Sequence, residues 1–395
     1  MTNEVLQKIA SDEQNISSSN GLEPKLRFKE FDGKWSRNIL GNCCDIIMGQ
    51  SPDSSSYNNN CIGLPLVQGN ADMCERIATP QRYTSQPTKI CEAGSIILSV
   101  RAPVGTVGKT FQKICLGRGV CGITSKNIEF MYQYLLNNEN SWRHIEQGGT
   151  FTAINSDDIK SFPIILPSLP EQKKIADFLS LIDQRIEKQR QLVENLKKYK
   201  RGYFQRIISS LETSSYELKN IVDEYNAKSK IQNELPILSS TLSGIKLQND
   251  YFNKQAASET TIGYKIVPFG YFTYRSMSDT GEFRFNLQNI IEKGIVSPAY
   301  PVFKVKEEYN AEFVEYILNE TDKIKSQLLV KKEGGTRYAL SFSKFQTLKI
   351  DLPTKSVQDK MVSQLRYANK ILTNEEGVLS NLQKLKNGLL QQMFI

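Results

Sequence analysis

Histidine is almost absent. His144 is the only one in 395 residues, so neither a Cys/His metal cage nor a histidine-centred catalytic triad has the material it needs. Seven cysteines (Cys43, Cys44, Cys61, Cys74, Cys91, Cys115 and Cys121) lie in the first third, and no two are spaced C-x-x-C. They are expected to stay reduced and to bind no metal. Nowhere do 18 apolar residues run together, and the first 20 residues are polar without an apolar signal core, which points to a soluble, cytoplasmic protein with no membrane partner. The chain lacks N-P-P-[YF] and D-P-P-Y tetrapeptides and any G-x-G-x-x-G ahead of a helix, so it is not expected to hold a methyl donor by those routes. No paired carboxylates or activated nucleophile emerge, and no residue is assigned a catalytic role.

One stretch imitates a phosphate loop. "RAPVGTVGKTF" (101–111) ends in Gly-Lys-Thr, but Pro103 stands where the first glycine of G-x-x-x-x-G-K-[ST] belongs. Proline offers no N–H and fixes φ, so successive amides cannot wrap a phosphate there. The alternative is a strand, a tight glycine turn and a return strand, with Arg101 and Lys109 near the two ends of a basic hairpin tip. The charge balance agrees with such a role: 50 basic against 42 acidic residues give a net +8, which favours an acidic macromolecular partner.

What the chain does have is a copy of itself. Gly148-Gly149-Thr150 matches Gly334-Gly335-Thr336 at an offset of 334 − 148 = 186, and that offset runs ungapped to the C-terminus. It pairs Pro167 with Pro353, Gln172 with Gln358, Leu179 with Leu365 and Lys200 with Lys386. After "LPSLPEQ" and "LPTKSVQ" each copy reads as one helix of about 38 residues, roughly 57 Å long. Apolar residues recur at alternating spacings of four and three: Ile175, Leu179, Ile182, Ile186, Val193, Leu196, Tyr203 and Ile207 in the first copy. Met361, Leu365, Ala368, Leu372, Leu379, Leu382, Leu389 and Met393 follow in the second. This is the spacing of a coiled-coil seam, and the partner helix is present in the same chain; the alternative is two amphipathic helices, each packed on its own domain. The polar interruptions coincide too, Gln189 with Glu375 and Lys200 with Lys386.

The remainder reads as α/β (α+β) globular domains, with strand-like runs such as "GSIILSV" and helices such as "AEFVEYILNE" between Gly/Pro/Asn turns. The expected order is a polar tail (1–24), a first domain (25–166), a central helix (167–209), a second domain (210–352) and a distal helix (353–395). Loops of the first domain present Gln50, Ser51, Gln68 and Asn70, whose amides and hydroxyl suit base edges; with Arg101, Lys109, Arg118 and Thr150 they form one candidate nucleic-acid set. The second set is Ser239, Ser240, Thr241, Lys246, Tyr274, Arg275, Arg284, Lys331 and Arg337. Arginine suits guanine edges, while lysine and hydroxyls suit phosphate.

Taken together, "PKLRFKEFDGKW" (24–35), "GQSP" (49–52), "LPSLPEQKKIADFLSLID" (166–183), "LKKYKRGYFQRI" (196–207), "SSTLSGIKLQNDYF" (239–252) and "GIVSPAYPVFKV" (294–305) resemble the specificity subunit of Type I restriction-modification systems. The resemblance implies a non-catalytic DNA reader. Its two target-recognition domains would each read half of a split site, and an antiparallel coiled coil would set the spacer. Two methyltransferase subunits would dock on the helices and bring S-adenosylmethionine; two restriction subunits, with ATP and Mg, are an optional addition. The residues alone also accommodate a coiled-coil adaptor with duplicated protein-binding domains.

Overall fold

The computed structural model describes residues 23–146, 153–248, 260–331 and 337–395. Residues 1–22 of the polar tail, Thr150 and the repeated Gly-Gly-Thr triplets lie outside them. The chain divides into two compact units: Met1–Gln191 with Gly377–Ile395, and Leu192–Glu376. Both divisions fall inside long helices, Leu169–Ser210 and Lys355–Met393, so each unit owns part of each helix. No helix among the described residues is long and apolar enough to cross a membrane.

In the first unit a six-stranded mixed sheet has Cys44–Met48, Val120–Ser125, Ile96–Ser99 and Val107–Lys109 as successive neighbours. A five-stranded sheet runs through Leu64–Val67 and Ile114–Leu116. Ile96–Ser99 is buried at every position, as a strand covered on both faces must be, and its run of Ile and Leu reflects that. Helix Ile128–Asn137, capped by the Asn127 side chain, lays Phe130 and Tyr134 into the core with Trp35, Leu40 and Trp142. The C-terminal turn supplies Leu390, Met393 and Phe394 to this same core, and Phe394 lies edge-on to Trp35 and Tyr134.

The second unit is built on Phe272, Tyr274, Phe285, Phe303, Phe313 and Phe345, with Phe204, Met361 and Leu365 of the two long helices in the same cluster. Its four-stranded sheet orders Val222–Glu224, Val302–Val305, Phe272–Thr273 and Asn286–Leu287.

Each long helix begins with the same device. A two-stranded ribbon precedes it, Ser36–Ile39 with Pro163–Leu166 in the first unit and Ser214–Glu217 with Lys349–Leu352 in the second. The carbonyls of Ser168 and Thr354 accept from Gln172 N and Gln358 N. Those glutamines are buried, and their side-chain amides donate back to Pro167 O at 3.0 Å and Pro353 O at 2.8 Å. The glutamine thus ties the helix start to the proline that stops the strand. At the first helix a further lock appears: Glu171, 1% exposed, accepts from Nε and Nη2 of Arg27, each at 2.8 Å, and Arg27 Nη1 donates to Gly33 O. "PKLRF" and "LPEQ" are one ion pair.

Along the helices every predicted seam position but one is buried or half-buried within its own unit. In the first unit Ile175, Leu179, Ile182 and Ile186 share the unit with Leu379, Leu382 and Leu389, and Lys386 pairs with Asp183 at 2.6 Å. In the second, Val193 and Leu196 share it with Met361, Leu365, Ala368 and Leu372, and Lys200 donates to Asn369 at 2.7 Å. The exception is Tyr203, 40% exposed; Phe204, at 1%, fills the core in its place.

Candidate nucleic-acid interface

In the first unit three loops close on one another through glycine. A Cβ on Gly49 would lie 2.0 Å from Gly117 O, and one on Gly119 would lie 2.2 Å from Gln68 O, so backbone meets backbone at both crossings. The hydrogen bonds follow suit: Gly49 N donates to Val120 O, Gln50 N to Leu116 O, Gly117 N to Val67 O and Val100 N to Gly119 O. Strand ends carrying Gln50, Gln68, Arg101 and Arg118 are thereby collected at one end of the unit. Arg118 is exposed between two buried glycines, and its N and Nε face Ser51 Oγ at 3.2 and 3.4 Å. Gln68 donates from Nε2 to the Tyr57 hydroxyl at 2.9 Å, which fixes the amide. Asn70 opens a single 3-10 turn whose Asp72 carboxylate accepts from Gln68 N. Sequence reasoning passed over Tyr57, and also Lys89, which is exposed beside Thr88, the hydroxyl that donates to Gln50 O. The signal for Tyr57 was weak, a lone aromatic in a polar loop.

The 101–111 stretch is a hairpin as expected, Ile96–Ser99 returning as Val107–Lys109, with Arg101 exposed on the turn. Lys109 is not at its tip. It stands opposite Ile96, at the far end of the return strand, pairs with Glu129 at 2.5 Å and lies 4.2 Å over the Tyr132 ring. Its charge is spent inside the unit.

In the second unit the hairpin Leu238–Thr241/Gly244–Leu247 places Ser239 directly across from exposed Lys246. A recess of about 160 Å³ gathers Thr241, Arg275 and Arg284 with Leu242, Met277 and Asp279. Arg337 reaches the same loop through Asp279 at 3.0 Å, and Arg284 is steadied by Glu320 at 2.9 Å. Two of the expected contacts do not line the recess, and a third lies buried in its wall. Tyr274 is fully buried and its hydroxyl donates to Leu340 O at 3.2 Å; it is a core residue. Ser240, 4% exposed, takes a hydrogen bond from Asn286 Nδ2 at 2.8 Å and braces the hairpin from beneath. Lys331 donates to Thr347 O at 3.2 Å and does not line the recess. Tyr274 and Arg275 follow the strand Phe272–Thr273, the first buried and the second exposed, and residue type alone does not reveal which.

Burial pushes the thiols of Cys44 and Cys121 up to about 12, which holds them protonated and unreactive. Among the described residues no group of three or more His, Cys, Asp or Glu could hold a metal ion. The two loop clusters instead present arginine, amide and hydroxyl groups on rigid backbone, a surface suited to phosphates and base edges.

Comparison with known proteins gives a consistent answer. Over 201 residues the chain is 38% identical to a Methanocaldococcus jannaschii protein described as the type I restriction enzyme MjaX specificity subunit, covering 49% of this chain and 46% of that one. A second, the type I restriction enzyme MjaIX specificity subunit of the same organism, is 30% identical over 130 residues, 31% of this chain and 30% of that one. The chain spans less than half the length of these curated relatives. The crystal structure of a Type-I restriction-modification S subunit from M. genitalium shares the fold at a TM-score of 0.58 over 95% of this chain and 99% of that one, with 15% identity. Residues 33–198 match the family described as the Type I restriction modification DNA specificity domain.

Proposed function

We propose that this chain is the non-catalytic DNA-reading subunit of a Type I restriction-modification complex in the cytoplasm, each unit reading one half of a split site on double-stranded DNA. The observation that carries this reading is recurrence with divergence. The helix-start device and the polar helix contacts repeat at one offset, since 386 − 200 = 186 and 369 − 183 = 186, while the loop clusters above them differ. One scaffold copied twice with two unlike reading surfaces suits an asymmetric, two-part sequence.

On this reading the two helices form one antiparallel coiled coil. The index sums support it: 183 + 386 = 569 in the first unit and 200 + 369 = 569 in the second. A 42-residue helix of roughly 63 Å is long enough to serve half-sites about 34 Å apart, one turn of DNA. Gln50, Ser51, Gln68, Asn70, Arg101 and Arg118 would face one half-site; Ser239, Thr241, Lys246, Arg275, Arg284 and Arg337 would face the other. Methyltransferase subunits would bring S-adenosylmethionine, and restriction subunits, where they join, ATP and Mg. A groove of about 580 Å³ lined by Leu196, Tyr199, Tyr203, Tyr367, Ile371 and Leu372 supports docking of the former on the helices.

The test is co-expression with the cognate methyltransferase subunit and mapping of methylated adenines across a genome. A two-part motif is expected, bound with an affinity that falls steeply as salt rises. A contiguous motif, or binding indifferent to salt, would sink the proposal.

A further inference from the structure

Glu75 and Arg76 both occupy the left-handed backbone region, with φ of 48° and 67°. They form the two-residue turn between Met73–Cys74 and Ile77–Ala78, where Cys74 pairs with Ile77. Such a turn suits Asn-Gly, and two long side chains there hold the backbone under strain. The surroundings show what that strain secures. The Arg76 guanidinium grips both carboxylate oxygens of Glu139, Nη2 to Oε2 at 3.0 Å, and donates from Nη1 to Val107 O at 3.1 Å. Glu139 Oε1 in turn accepts from Val107 N at 2.9 Å, and Arg76 O accepts from Lys109 N at 2.8 Å. Glu75 reaches Arg190 of the long helix at 3.2 Å.

Val107 and Lys109 are the return strand of the hairpin that carries Arg101. That hairpin's turn is held a second time by the helix that bears Glu139: Gly105, at φ 87°, packs so closely on Trp142 that an added Cβ would lie 2.5 Å from the Trp142 Cβ. The turn is gripped on one side by an ion pair and on the other by an indole.

We propose that Arg76 and Glu139 are positioning residues for recognition of one half-site: they set the attitude of the Arg101 turn without touching DNA. The inference rests on the DNA-reading proposal above. It separates stability from recognition, because the double substitution Glu75→Asn with Arg76→Gly gives the turn the residues it prefers while removing the guanidinium.

The experiment uses the full chain in complex with its methyltransferase and an oligonucleotide library varied one base at a time in each half-site. Arg76→Met and the Asn-Gly variant are both expected to lose about tenfold discrimination in one half-site and none in the other. Arg76→Lys should recover part of it, and the double substitution, whose relaxed turn offsets some of the lost ion pair, should melt closer to the parent than Arg76→Met does. Wild-type discrimination in the Asn-Gly variant would overturn the inference, as would an equal loss in both half-sites, which marks general destabilisation. A parent complex with no two-part preference would overturn the DNA-reading proposal itself, and this inference with it.

Discussion

Arg118 shows how much of a reading surface is decided by its neighbours rather than by itself. Gly117 and Gly119 are buried against the backbone of Gln68, so the arginine between them has nowhere to go but outward. Arg118 was named from the sequence as a candidate; the strand ends it crosses were not legible there, because they come from 50 and 67 residues earlier in the chain. Glu315 illustrates the converse, a charged residue turned inward. It accepts from Leu287 N at 3.0 Å, yet burial raises its carboxyl above the ordinary range, the hydrogen bond offsetting only part of the shift. A carboxyl raised in the folded state contributes stability that is full below its unfolded pKa and fades as pH climbs through the folded one. Glu315→Gln keeps an acceptor for Leu287 N and should therefore melt higher than the parent at pH 7, the gap closing toward pH 4. Melting curves at both values check this; a gap that widens on acidification contradicts it.

At the scale of elements the two long helices were the most legible part of the molecule. A 3.5-residue period sustained over five turns and more admits few alternatives. Its one lapse, Tyr203 for Phe204, falls where Phe204 packs on Tyr316 in the aromatic core of the second unit. Leu179 and Leu365 occupy equivalent places, 0% and 6% exposed, in different cores. Either Leu→Ala substitution should cost about 2–5 kcal/mol, each in its own unit. Hydrogen exchange read strand by strand checks it: Leu179→Ala should weaken protection of Val120–Ser125 and Leu365→Ala that of Val302–Val305, and an effect that ignores the unit boundary would speak against the division. The bond from Arg27 to Glu171 was invisible at this scale, since its partners are 144 residues apart and each motif reads sensibly alone.

For the whole molecule, the repeat foretold the recurrence of elements but not where the compact units divide. A sequence boundary drawn at 166/167 treats the helix as a connector, whereas both long helices are shared, and the first core is completed by residues 377–395. Phe394 there packs against Phe130, Tyr134 and Trp35. A chain ended after Glu376 should accordingly lose the fold of the amino-terminal unit and keep that of the other. Limited proteolysis would show it by cleavage within 36–166 and resistance within 214–352; the reverse pattern would refute it. Synthesis on the ribosome meets the same geometry from another direction. The middle of the chain emerges with everything its own core requires, while the unit before it waits for residues 377–395 to be made before its hydrophobic interior can close.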